Sequence, residues 1–138
     1  SRDHLLGSID VVLEHAGKIH LIDWKTNRLD RYDAAALEAN VAEHYALQVA
    51  VYTLAAARLF GLTDEATFAE RFGGVHYVYL RGALEGARPF ATASEIAGSG
   101  VARDGGPTSQ GVYSTHPRYA DLLRWQTELD ARVSEATR

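Results

Sequence analysis

The chain has 138 residues, 46% of them hydrophobic and 23% charged, a composition that fits one globular domain with a real core. It contains no cysteine, which excludes disulfides and thiolate metal sites, and its formal net charge of −4 argues against holding nucleic acid mainly through a broad basic surface. No apolar run approaches the length of a membrane span, and Ser1-Arg2-Asp3-His4 is unlike a signal peptide, so a cytoplasmic location without a membrane partner is expected.

Residues 5–14 and 18–26 read as two strands, with His15-Ala16-Gly17-Lys18 as the turn between them. Val11-Val12-Leu13 and Ile19-His20-Leu21-Ile22 are apolar and β-branched, yet each run adjoins an acid, Asp10 and Asp23. Residues two apart in a strand share a face, so Asp23 and Lys25 project together and His20 faces away from them. If the hairpin is antiparallel and its turn is centred between Ala16 and Gly17, residues whose numbers sum to 33 lie opposite each other, and Asp10 and Asp23 satisfy that sum. Directly opposite Cβ atoms are about 4.5–5.5 Å apart, and like charges there are destabilising. Such a pair needs a cation between its members or a raised pKa. Ala-Gly is a poorer two-residue turn than Asn-Gly; a four-residue loop with the same centre keeps the register and a bulge breaks it. On spacing alone, a metal site and a salt-bridged strand end both remain open.

Thr26 to Asp30 reads as an exit loop. A single long helix is expected from about residue 34 to 59, where Leu37, Val41, Tyr45, Val49, Tyr52, Ala56 and Leu59 step by three or four. Its alanines favour helix, and Gly61 provides a stop. Gln48 and Tyr52 lie four apart on one face, either as a half-buried tyrosine with a polar neighbour or as a brace for the hairpin acids. Residues 62–72 read as a polar loop with a short helical turn, and 73–82 as a strand bounded by glycines. Residues 83–110 are rich in Gly, Ala, Ser and Thr and include Pro89 and Pro107, so a long mobile loop is expected. Gly111-Val112-Tyr113 offers a short edge strand. A helix over about 117–136 closes the chain, with Pro117 at its first position and Leu122, Trp125, Leu129 and Val133 as its apolar stripe.

The histidines carry little signal. His4 lies near the start, His15 in the turn and His44 on a helix, and neither His15 nor His76 has a partner at a useful spacing. The sequence has no His-Glu-x-x-His pattern, no phosphate-binding glycine loop and no Gly-x-Ser-x-Gly elbow. Arg28 and Arg81 are available to contact phosphate, although an exposed arginine is usually just solvated.

Gly7-Ser8-Ile9-Asp10, Leu21-Ile22-Asp23-Trp24-Lys25-Thr26-Asn27 and the run from Tyr45 to Ala55 resemble the RecB-like nucleases. These form the C-terminal nuclease domain of the RecB subunit of the bacterial RecBCD helicase–nuclease, also called exodeoxyribonuclease V. The run from Phe72 to Gly82 is similar to the same family, as is Gly111-Val112-Tyr113-Ser114-Thr115-His116-Pro117. The resemblance covers nearly the whole chain apart from residues 83–110. It points to this branch of the PD-(D/E)xK superfamily, not to the superfamily alone.

The resemblance implies an α/β, restriction-endonuclease-like fold with a central mixed sheet flanked by helices, as a single nuclease domain over residues 1–138. It implies that Asp10, Asp23 and the backbone carbonyl of Trp24 hold one or two Mg²⁺ ions, with Mn²⁺ as a substitute, and that Lys25 is the catalytic lysine. Gln48 and Tyr52 match the family's Gln-x-x-x-Tyr motif and would line the DNA approach or support the site. The expected reaction is exonucleolytic hydrolysis of DNA in double-strand break repair and recombination. The expected partners are DNA, RecC-like and RecD-like subunits, and an ATP-dependent helicase part of the same parent protein. The family also has a metal-binding His or acid on a helix well upstream of its first acid, and His4 is not at the equivalent distance. An N-terminally truncated domain is therefore expected, one that binds metal poorly in isolation. The competing expectation is an inactive nuclease-like module for DNA guidance or subunit interaction, against which the joint presence of Asp10, Asp23 and Lys25 argues.

Overall fold

The computed structural model describes residues 8–85 and 111–138. Four strands, β1 (Val11–His15), β2 (Lys18–Lys25), β3 (Phe72–Tyr79) and β4 (Val112–Thr115), form one sheet in the order β1-β2-β3-β4. β1 and β4 run antiparallel to their neighbours, while the inner strands β2 and β3 are parallel. The sheet is thus mixed, and the fold is α/β as expected. Parallel neighbours need a long crossover. Here it contains α1 (Ala34–His44), α2 (Ala46–Leu59) and α3 (Glu65–Arg71). Two further helices, α4 (Leu80–Glu85) and α5 (Tyr119–Ala136), flank β4 in the chain. No helix among the described residues is long and apolar enough to cross a membrane.

The hairpin forms in the expected register. Val11 faces Ile22, Leu13 faces His20 and His15 faces Lys18, each pair summing to 33. Ala16 and Gly17 have φ of 51° and 77°, so a two-residue turn with two left-handed positions closes the hairpin. Gly17 adopts that conformation freely, whereas Ala16 is strained by it. β1 is shorter than expected: it begins at Val11, Ser8 to Asp10 lie outside it, and residues 5–7 fall outside the described residues.

Strand alternation divides the core. Ile19, Leu21, Val75, Tyr77 and Tyr79 face the helices and pack with Leu37, Val41, Val49, Tyr52, Phe68 and Leu122. Ile22, Val78 and Val112 form a smaller cluster on the opposite face, joined by Val11 and Leu13. Each fully buried aliphatic or aromatic side chain contributes roughly 1.5–3 kcal/mol relative to exposure. β3 is buried at every position, which is why its sequence is apolar, aromatic and glycine-rich without alternation. Asp33 and Asp64 cap α1 and α3 by accepting from the Ala36 and Thr67 amides.

Several boundaries differ from expectation. The long helix is broken at Tyr45, whose φ of −125° and ψ of 7° are not helical. The hydrogen-bond ladder spans the break, since the Tyr45 amide reaches Val41 O and its carbonyl accepts from Val49. Periodicity therefore continues through a local kink. Residues 65–71 form a capped helix where a loop with one turn was expected. Leu80, Arg81 and Gly82 belong to α4, not to the strand, because β2 ends at Lys25 and offers no partner beyond Tyr79. Pro117 precedes the α5 N-cap, Arg118, instead of opening the helix. Val133 is 62% exposed, so the packed stripe of α5 ends with Leu129. The mobile loop expected over 83–110 is helical at its first residues, and from 86 onward it lies outside the described residues.

Candidate active site

The turn register carries the two acids to one place. Asp10 stands immediately before β1, and its Oδ2 accepts from the Trp24 amide at 2.9 Å. Its carboxyl group lies close enough to that of Asp23 for each to shift the other. The Trp24 amide, followed by Asp23, holds Asp10 below the ordinary carboxylate range. Burial pushes Asp23 up; Lys25 opposes the shift, and Asp10 adds to it. Asp10 is thus exposed and more acidic than an ordinary carboxyl, and Asp23 is buried and less readily ionised. In an extended strand the N–H and C=O of one residue leave on the same side. The Trp24 carbonyl therefore emerges toward Asp10, while its indole is exposed.

Lys25 lies on the same face. Its Nζ is 2.5 Å from Asp23 Oδ2, with side-chain exposures of only 12% and 6% for the two residues. The same Nζ donates to Gln48 Oε1 at 3.3 Å. Gln48 Nε2 donates to the Tyr52 hydroxyl at 2.8 Å, and that hydroxyl donates to the Ser8 carbonyl at 2.8 Å. Gln48 and Tyr52 thus link Lys25 to the backbone two residues ahead of Asp10. Their four-residue spacing works because α2 presents both on the face that covers the acids.

Asp23 Oδ2 is buried and accepts no well-directed hydrogen bond, although Lys25 is in ionic contact with it. The contact supplies charge but leaves lone-pair directions unmet. A buried carboxylate oxygen held by its ion pair with Lys25, a second carboxylate nearby and a backbone carbonyl on the same side make an all-oxygen donor set. That set fits a hard divalent cation. Among the described residues no group of three or more His, Cys, Asp and Glu is placed to hold a metal.

The remaining candidates separate from this site. His20 faces away, as alternation requires, and is buried. His44 is exposed beside Glu43, and Arg28 is exposed. Arg81 donates to the Thr26 carbonyl, fastening the loop after β2. His4 lies outside the described residues. His76 has no partner at a telling sequence spacing, yet the fold supplies two: its Nε2 lies 2.9 Å from His20 Nδ1 and its Nδ1 lies 2.6 Å from Ser114 Oγ. Those partners sit on other strands, so no local spacing reveals them.

Sequence reasoning also misses Tyr77 and Asn27 as members of the site, and takes Tyr45 only as an apolar helix position. Tyr77 pairs with Asp23 across the parallel strands and donates to Gln48 Oε1 at 2.9 Å. Its hydroxyl pKa is pushed far up by burial, then by Asp23. Asn27 Nδ2 donates to the Tyr45 hydroxyl at 2.9 Å. The available signal was the Thr26-Asn27 pair following Lys25, within reach of whatever Lys25 contacts.

The sequence profile of the PD-(D/E)XK nuclease superfamily matches residues 3–137. RecBCD enzyme subunit RecB of Haemophilus influenzae is 42% identical over 82 residues, covering 55% of this chain and 7% of that protein. RecBCD enzyme subunit RecB of Escherichia coli K12 is 32% identical over 139 residues, covering 96% of this chain and 10% of its own length. The Mycobacterium tuberculosis RecB is 37% identical over 106 residues, or 70% of this chain and 9% of that protein. The chain spans a tenth or less of the length of these curated relatives.

Proposed function

Because the chain belongs to the PD-(D/E)XK nuclease superfamily, we propose that it is a RecB-type nuclease domain that hydrolyses DNA phosphodiesters with a divalent cation, Mg²⁺ or its substitute Mn²⁺. The observation that carries this reading is the convergence of Asp10, Asp23 and Lys25, with one buried carboxylate oxygen left without a directed hydrogen bond.

Asp10, Asp23 and the Trp24 carbonyl would hold the cation. When bound, it would supply charge stabilisation to the phosphoryl oxygens and make a water more acidic. Lys25 stands beside Asp23, where it orients the attacking water and balances negative charge developing on the phosphoryl group. Water adds to phosphorus and the bridging P–O bond breaks. Gln48 and Tyr52 hold Lys25 and the Ser8–Asp10 backbone in one frame, which makes them supports for the site. Nothing among these residues is arranged to read base edges, so substrate choice would come from strand delivery. The delivering elements would be a helicase part of a longer protein and RecC-like and RecD-like subunits, in exonucleolytic processing during repair and recombination.

The test is a Mg²⁺ and Mn²⁺ titration followed by single-stranded DNA cleavage, in the longest natural chain that carries this sequence. Cleavage should require the cation, and Asp23→Ala should abolish it. Unchanged cleavage by Asp23→Ala would remove the hairpin from the active site, and a cation-bound chain without cleavage would favour an inactive guiding module.

A further inference from the structure

Lys25 is surrounded by more than its carboxylate and amide partners. Its Nζ lies 3.8 Å from the ring centroid of Tyr45 and 5.4 Å from that of Tyr77. The two rings stack, with centroids 5.5 Å apart and planes 22° apart. Tyr45 is fixed at its far end, where its hydroxyl exchanges hydrogen bonds with the Asn27 side chain at 2.9 and 3.2 Å. Tyr77 is fixed by its hydroxyl bond to Gln48 Oε1, the same atom that accepts from Lys25. The helix break between α1 and α2 falls on Tyr45 itself. Its backbone leaves helical geometry at the residue whose ring meets the ammonium.

From these contacts we propose that Tyr45, clamped by Asn27 and stacked on Tyr77, is a positioning residue that fixes the Lys25 ammonium beside the acid pair. The proposal rests on the reading of Lys25 as catalytic. A flexible four-carbon lysine stem has many rotamers, and one ion pair limits them poorly. An aromatic face attracts a cation by its quadrupole, most strongly where water is excluded. The carboxylate of Asp23, the Gln48 oxygen and the Tyr45 face approach Nζ as separate partners. Asn27 follows Lys25 by two residues, so the loop leaving β2 carries both the lysine and the clamp that orients its aromatic platform. Tyr45 touches no reacting atom in this scheme. It acts by keeping Nζ where a phosphoryl group would meet it.

The experiment compares Tyr45→Leu and Tyr45→Phe in the longest natural chain, with cleavage kinetics, and records the Lys25 ε-methylene resonance of the wild-type protein by NMR. Tyr45→Leu should lower kcat roughly tenfold with KM within about twofold, because a misplaced ammonium weakens transition-state contacts more than ground-state binding. Tyr45→Phe keeps the ring face and should retain most of kcat. The wild-type Lys25 ε-methylene protons should resonate upfield of those of exposed lysines, and that shift should survive Tyr45→Phe. An unshifted resonance in the wild type overturns the proposal even if Tyr45→Leu does not fold. So does an equal loss in both variants, which would show that the ring face does not hold the ammonium, or a change in KM alone. Lys25→Ala is the control: if it cleaves normally, the nuclease role of Lys25 falls and the proposal with it. If Lys25→Ala is inactive while Tyr45→Leu is not, only the aromatic platform is refuted.

Discussion

On one face of the β2–β3 strand pair, Asp23 meets Asp10 and Lys25; on the other, His20 meets His76, which in turn meets Ser114. Each group places a buried polar side chain, Asp23 or the His20–His76 pair, in an otherwise apolar sheet. Their hydrogen bonding differs. The histidine chain is completed across β2, β3 and β4, and it stays neutral: burial pushes His76 down to about 3 and lowers His20 as well. Gly73 makes room for it, since a Cβ there would lie 2.3 Å from the His20 ring. The acid face keeps charged groups, one exposed carboxylate and one buried oxygen whose lone pairs are not met. A buried polar cluster with complete partners braces a fold, whereas one with an unmet oxygen is held ready for a ligand.

Asp23→Asn breaks the comparison most strongly. Cleavage in the longest natural chain should fall by a hundredfold or more, by about the amount that losing one preorganised electrostatic group costs. Stability should change by less than about 1 kcal/mol, because relief of carboxylate burial and of the Asp10 contact offsets the lost Lys25 pair. Urea unfolding and single-strand cleavage measured on the same preparation check both parts. A large loss of stability would make Asp23 a structural residue and erase the contrast between the faces.

His76→Ala should do the reverse. It opens a cavity and strips partners from His20, at a cost of about 2–3 kcal/mol near neutral pH, while cleavage per folded molecule persists. The pH dependence follows from the depressed pKa values. The unfolded histidine titrates near 6.5 and the native His76 near 3, so the unfolded chain takes up protons first as pH falls. The stabilisation is whole above about pH 6.5 and is lost progressively as pH drops toward 3, by at most about 1.4 kcal/mol per pH unit for each such group. His116, His15 and Lys18 face His20 and oppose its protonation further. The deficit of His76→Ala relative to wild type should therefore shrink between pH 7 and pH 5 in urea titrations. A constant deficit would mean that His76 acts by packing alone.

The acid face was legible in the sequence to the extent that it is local. A turn centre and strand alternation suffice to oppose Asp10 and Asp23, and a four-residue helical step suffices to align Gln48 with Tyr52. The histidine face was not legible, because its members meet only through the parallel register that places Ile22 beside His76 and His20 beside Gly74. That register is set after a long helical crossover and carries an irregularity between Ile19 and His20, so no short spacing encodes it. Tyr45 was read as one more apolar step of a continuous helix for a related reason. The three-to-four periodicity survives the kink, and what the kink accomplishes lies on β2 and β3. The end of β3 was misplaced because the run was bounded at Gly82, whereas pairing with β2 ends at Tyr79 and Leu80 favours helix.

The smallest expected effect concerns the device that keeps the two faces apart. A shift of one residue in the β1–β2 pairing would move every β1 side chain to the other face and carry Asp10 away from Asp23. The turn that prevents this holds Ala16 at a φ of 51°, a conformation that asparagine tolerates better than alanine. Ala16 is exposed, and replacing it removes no contact of either cluster. Ala16→Asn should therefore raise the urea midpoint, corresponding to about 0.5–1 kcal/mol, and leave cleavage unchanged. Cross-strand NOEs between Val12 and Leu21 should persist in the variant, since these residues are partners in the present register. If Ala16→Asn destabilises the hairpin or shifts those contacts, the turn is not what aligns the acids. The pairing of Asp10 with Asp23 would then depend on the Trp24 amide and the Tyr52 link to Ser8.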